Sequence, residues 1–157
     1  MNILVLCTGN SARSILLEYI LREQSGGRIT SFSAGSKPSG KVHPQSVRLL
    51  NGLGIDTTAA RSKSWDEFGL NGAPEMDAVI TVCGSAAEEE CPIWPGAPLR
   101  AHWGVEDPAA AAEEDWLAAF EKAYEILERR AQGFLAMDFE SMDRAALQKA
   151  LNEAGKL

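Results

Sequence analysis

The chain has 157 residues, 45% hydrophobic and 24% charged, with 15 Lys and Arg against 22 Asp and Glu and a net charge of −7 at pH 7. That acidity argues against nucleic acid as a partner, because a phosphate backbone needs a basic face, and no apolar stretch approaches the roughly 18 residues of a membrane span. Three cysteines are an odd number, unsuited to a fixed disulfide framework, and point to catalytic or redox thiols in a cytoplasmic protein.

Residues 2–6 are a short continuous apolar run, the pattern of a parallel strand covered on both faces. The start Met1-Asn2-Ile3-Leu4 runs straight into that strand without a basic segment, so no signal peptide is expected. A helix is predicted over 14–24, ended by Gly26-Gly27, and a second strand over 29–33, closed by Ala34-Gly35. His43-Pro44 opens a helix with apolar Val47, Leu49, Leu50 and Leu53, which Gly54 stops. Strands follow at 77–82 and 99–103, then a long amphipathic helix from about 113 to 135 with Trp116, Phe120, Tyr124, Leu127 and Phe134 on its apolar face. A last helix is expected from about 143 to 154. This alternation implies an α/β fold, a doubly wound, four-stranded parallel sheet with helices on both faces. Ligands in such sheets sit at the carboxyl ends of the strands, where Cys7, Cys83 and the region of Trp103 all fall. With no repeat or linker in view, one catalytic domain is expected over 1–157, residues 136–157 forming a helical extension.

Between the first strand and its helix lies Cys7-Thr8-Gly9-Asn10-Ser11-Ala12-Arg13-Ser14. A cysteine, five residues and an arginine at a helix N-terminus make a device for holding a tetrahedral oxyanion against a thiolate. Inward N–H groups and the helix dipole attract the anion and favour an ionised thiol, and a guanidinium offers a flat bidentate fork. Residues 8–14 are the expected cradle. Downstream, Cys83 ends the third strand and Cys91-Pro92 follows, then His102-Trp103-Gly104 and Asp107-Pro108. Cys83-x7-Cys91 lacks the spacing of common zinc sites, and no metal is expected. A thiol relay fits better, with Gly84, Ser85, Ala86 and Ala87 making the intervening segment pliable and Glu88-Glu89-Glu90 keeping it solvated.

These pieces, with Ser33-Ala34-Gly35 and Thr81-Val82-Cys83, resemble in type and order the thioredoxin-coupled arsenate reductases built on the low-molecular-weight tyrosine phosphatase scaffold. The resemblance covers roughly residues 2 to 135. The loop is shared with phosphatases; the Cys…Cys-Pro…His-Trp-Gly…Asp-Pro series is more specific to the reductases. It implies a flavodoxin-like three-layer sandwich, and a reaction in which the Cys7 thiolate attacks arsenate held by the loop and Arg13 while Asp107 protonates the departing oxygen. Cys83 then attacks Cys7, arsenite leaves, and Cys91 attacks Cys83, leaving a Cys83–Cys91 disulfide for an external reductant. Thioredoxin is the implied donor, with glutaredoxin/glutathione and mycothiol as the alternatives; no bound cofactor is implied, and the protein is expected to act as a monomer. Asn10, Ser14, Glu18 and Ser33 are expected to support the loop from behind. Some relatives hold potassium there, and Lys63 stands where the acid completing that site would be, so its ammonium is expected to fill the space. Many relatives also carry a second cysteine in the loop, at the position of Ala12. The alternative is a low-molecular-weight tyrosine phosphatase acting through a phosphocysteine at Cys7, although Ala109 and Ala110 follow Asp107-Pro108 where such phosphatases carry an aromatic pair. His43, His102, Trp94, Trp103 and Trp116 are read as structural, and Trp65 as a contact at a helix edge.

Overall fold

The computed structural model describes residues 1–84, 94 and 96–157. Strands β1 (Asn2–Cys7), β2 (Thr30–Gly35), β3 (Ala78–Thr81) and β4 (Leu99–His102) pair in parallel in the order β2-β1-β3-β4. The chain therefore leaves β1 first toward β2 and later returns to its other side as β3. Such a reversal opens a crevice at the strands' carboxyl ends. β1 ends on Cys7, and Cys83 lies two residues beyond β3, so the two sulfurs flank the crevice.

The continuous apolar run of β1 has the expected cause. Ile3, Val5 and Cys7 face one apolar cluster while Leu4 and Leu6 face another, and all five are buried. Helices α1 (Arg13–Gln24), α2 (Pro44–Gly52), α3 (Trp116–Leu135) and α4 (Arg144–Ala154) contribute to the first cluster. Among the described residues the opposite face is covered by a 3-10 turn at Trp65–Phe68, by Met76 and by Trp94, whose ring meets Trp65 edge-on at 6.2 Å. Ser14 through Leu21 are all buried, because α1 packs against the sheet and under α3 at once. A helix without a solvent face shows no clear amphipathic stripe.

Three elements depart from the expectations by more than one residue at an end. β2 runs on to Gly35, with Leu6 paired to Ala34 and Cys7 to Gly35, because glycine there lets β2 pass under the loop; an added Cβ would stand 2.4 Å from the Thr8 carbonyl oxygen. The long helix starts at Trp116, its first residues Glu113–Asp115 winding as a 3-10 turn. The turn at Trp65–Phe68, begun by the Ser64 hydroxyl accepting from the Asp66 N–H, was not expected at all. α4 does form. Asp143 caps it, and it packs along edge strand β4, where the Trp103 indole N–H donates to the Leu151 carbonyl at 2.9 Å and Gln148 donates to the Arg100 carbonyl at 2.8 Å.

Candidate active site

The loop after Cys7 is best read from its carbonyls. Thr8 O accepts from the Lys37 N–H, and Gly9 O from the Ser39 N–H and the Ser62 hydroxyl. Ser11 O accepts from the His43 N–H and the Ser46 hydroxyl, and Ala12 O from the Leu16 N–H of α1. These carbonyls point away from the cup. In a planar trans peptide the next residue's N–H points the opposite way, so the N–H groups of Gly9, Asn10, Ala12 and Arg13 turn inward. The Asn10 N–H donates to Cys7 Sγ at 3.2 Å. Reversing the chain this tightly puts Asn10 at φ 47°, a left-handed conformation that asparagine adopts more readily than most residues.

Behind the sulfur, the side chains form a polarised chain. Asn10 Oδ1 accepts from the Lys63 backbone N–H at 2.9 Å, which orients the amide so that Nδ2 donates to Ser14 Oγ at 2.8 Å. Having accepted there, the Ser14 hydroxyl is free to donate to Cys7 Sγ, 3.0 Å away. Two donors thus converge on one buried sulfur, the arrangement an anionic nucleophile needs. α1 itself starts without a side-chain cap, since Ala12 has none to offer, and its first N–H groups face the cup.

The opposite wall comes from the segment after β4. Arg13 Nη1 donates to the Val105 carbonyl at 3.0 Å, and Nη2 lies 3.6 Å from Asp107 Oδ2. That anchor engages a minority of the five guanidinium N–H groups, leaving a fork for an oxyanion. Asp107 Oδ1 also accepts from the Ala109 N–H at 3.0 Å, and its carboxyl is 42% exposed. Cys83 is buried, with Sγ 3.5 Å from Thr8 Oγ1. Cys7, Arg13, Cys83 and Asp107 therefore meet around one loop. Cys91 and the 85–93 segment of the expected relay lie outside the described residues.

Glu18, Ser33 and Lys63 gather under the loop, all buried. Lys63 Nζ donates to Ser33 Oγ at 3.3 Å and to the Arg61 carbonyl at 3.1 Å. Burial pushes the Glu18 carboxyl up, opposed by the charges of Lys63 and Arg22 and by bonds from Ser33. Burial likewise pushes the Lys63 ammonium down, opposed chiefly by Glu18. Each charge is costly alone and supported by the other. Glu18 bonds to Ser33, while Asn10 spends its amide on Ser14 and the Lys63 backbone. Among the described residues no group of three or more His, Cys, Asp or Glu side chains is arranged to hold a metal.

The sequence matches the model of the low molecular weight phosphotyrosine protein phosphatases over residues 2–152. The chain belongs to that family. The chain is 37% identical over 131 residues to the arsenate reductase of Bacillus subtilis (strain 168), a match spanning 82% of this chain and 91% of the relative. Among solved structures, an arsenate reductase in its oxidized state shares the fold with a TM-score of 0.69 at 24% identity, over 86% of this chain and 96% of the other. The tyrosine phosphatase AmsI of Erwinia amylovora shares it with a TM-score of 0.65 at 22% identity, over 83% and 88%. Proteins of both names thus share this fold.

Several participants escaped the sequence reading. The Ser46 and Ser62 hydroxyls hold the outward carbonyls of Ser11 and Gly9, and Val105 contributes only a carbonyl. Gly35, read as a strand end and as part of Ser33-Ala34-Gly35, also lies where an added Cβ would meet the Thr8 carbonyl. His43 is a support. Its Nδ1 accepts from the Gln45 N–H to cap α2, its ring lies against Trp116 and Phe120, and burial pushes its pKa down, so the ring is neutral near pH 7. His102 Nδ1 lies 2.7 Å from Thr81 Oγ1 at the sheet edge.

Proposed function

We propose that this protein is an arsenate reductase that reduces arsenate to arsenite with its own thiols, as one catalytic domain in which 136–157 is a helical extension. The observation that carries this reading is the second buried thiol at the cup: Cys83 Sγ sits 3.5 Å from the hydroxyl of Thr8, the residue next to Cys7. A phosphatase needs Cys7, Arg13 and Asp107 but has no use for Cys83.

Arsenate docks on the inward N–H groups of residues 8–14 and on the Arg13 fork. The Cys7 thiolate attacks arsenic, an As–S bond forms, and one arsenate oxygen leaves as water, its proton coming from Asp107 in the neutral acid form. Cys83, as thiolate, then attacks Cys7 Sγ. A Cys7–Cys83 disulfide forms, the As–S bond breaks with its electron pair passing to arsenic, and As(V) departs as As(III). Cys91 attacks Cys83 Sγ, expelling the Cys7 thiolate, and the resulting Cys83–Cys91 disulfide is reduced by an external dithiol. A disulfide between cysteines of one short segment suits a protein dithiol of the thioredoxin kind better than a cofactor bound in the cup. The need to keep three thiols reduced favours a cytoplasmic protein, and a substrate this small requires nothing beyond a monomer.

Arsenate-dependent NADPH oxidation, coupled through a thioredoxin system, tests this. Cys83→Ser should lower multiple-turnover rates by about 10³-fold or more, and Cys91→Ser should permit one reduction per chain and then stop. Full steady-state reduction by both variants would end the relay. Efficient hydrolysis of p-nitrophenyl phosphate with arsenate untouched would make the protein a phosphatase.

A further inference from the structure

The wall that holds Arg13 is itself gripped from behind. Arg130, half-buried on α3, donates Nη1 to two successive carbonyls, Trp103 at 3.0 Å and Gly104 at 2.8 Å. The next carbonyl, Val105, accepts from Arg13 at 3.0 Å. Three consecutive carbonyls therefore engage two guanidinium groups, one inside the cup and one outside it. Among the described residues Arg130 makes no ion pair with an Asp or Glu side chain. The far end of the chain holds it there. Arg130 Nε donates to the Leu157 carbonyl at 3.2 Å, and Gly155 lies so close to Trp103 that an added Cβ would stand 2.6 Å from the indole.

We infer that Arg130 is a positioning residue for the oxyanion. By fixing the carbonyls of Trp103 and Gly104 it sets where the Val105 carbonyl lies, and so the direction in which the Arg13 fork points. The Leu157 oxygen gives Arg130 a third contact, so the last residues of the chain adjoin this support at the carboxyl end of β4. A planar fork reaching two carbonyls and a third group suits arginine; a lysine supplies donors from a single point. The inference rests on the anion-cup reading but not on the redox relay.

The test is equilibrium binding of inorganic phosphate, measured by calorimetry at a temperature where circular dichroism finds every variant folded, with arsenate KM and kcat alongside. Arg130→Ala should weaken phosphate binding by about 10-fold, since small misplacements of a clamping group are costly, and raise the arsenate KM in parallel with kcat little changed. Arg130→Lys should recover part of the loss. Gln148→Ala, which loosens α4 on β4 without touching residues 103–105, should bind phosphate within about twofold of the parent. Unchanged phosphate affinity in Arg130→Ala, or an equal loss in Gln148→Ala, overturns the inference and reduces Arg130 to a clamp for stability alone. A parent protein that binds phosphate but does not turn over arsenate overturns the reductase reading and leaves the Arg130 comparison intact.

Discussion

Two helix N-termini in this molecule treat the same physical problem in opposite ways. Each leaves N–H groups without a partner in its own helix. At α4, Asp143 Oδ1 accepts from the Ala146 N–H at 2.8 Å, and the helix end is closed. At α1 the cap position is Ala12, with no acceptor and a backbone at φ −125°, ψ −88°, and the N–H groups receive no side-chain cap. α4 uses its terminus for stability; α1 leaves its terminus open, as the proposed anion cup requires, and is held elsewhere, through the outward carbonyls of Thr8, Gly9 and Ser11 and the Lys63–Asn10–Ser14 chain. An open helix start is tolerable where the surrounding segments supply the missing hydrogen bonds.

The sharpest way to break that contrast is to close α1. Ala12→Asp puts a carboxylate among N–H groups meant for an anion, and phosphate affinity should fall by about 100-fold or more; calorimetry that finds tight phosphate binding in this variant would show that the cup does not use this helix end. Gly35→Ala comes next, because its Cβ must push the Thr8 carbonyl or Asn10 aside. About 10-fold lower kcat/KM and about 1–3 kcal/mol less stability are expected from kinetics and urea unfolding.

Lys63→Met tests the support beneath α1 through its pH dependence. Glu18 titrates higher in the folded state than in the unfolded chain because burial disfavours its charge. The folded state therefore binds that proton more tightly, and the stability this confers at low pH is lost as pH rises through the folded value. Without the Lys63 ammonium the loss should steepen. Thermal unfolding of Lys63→Met should show a larger drop between about pH 5 and about pH 8 than the parent, and adding Glu18→Gln should flatten it. A parallel pH profile in parent and Lys63→Met would show that the two groups are not coupled. The smallest effect belongs to the closed helix: Asp143→Ala should cost about 1 kcal/mol of stability and leave phosphate affinity unchanged. A loss of phosphate binding there would dissolve the distinction between the two termini.

The strand-loop-helix unit was legible from residues 2–24 because every signal in it is local. A buried strand, the Cys-x5-Arg spacing and a helix stop all lie within a few turns of chain. Lys63, Glu18 and Ser33 come from three separate segments and meet through Ser33, which only the fold brings about. The partners of Arg13 were harder. One is a carbonyl on Val105, and a backbone atom carries no residue type to read. The turn at Trp65–Phe68 was missed because a four-residue 3-10 element leaves too short a pattern to distinguish from a loop.

What the amino acids determined alone was the chemistry: a thiol, a guanidinium and small polar residues spaced so that a strand must hand over to a helix between them. Which groups surround that chemistry was decided in three dimensions. The sheet order β2-β1-β3-β4 sets β3 beside β1 and brings Cys83 to Thr8, and the packing of α4 against both β4 and α3 brings Arg130 behind the wall that Arg13 grips. The physical reason is that strand order and helix packing arise from burying apolar faces over the whole chain, a sum that no short stretch of sequence contains.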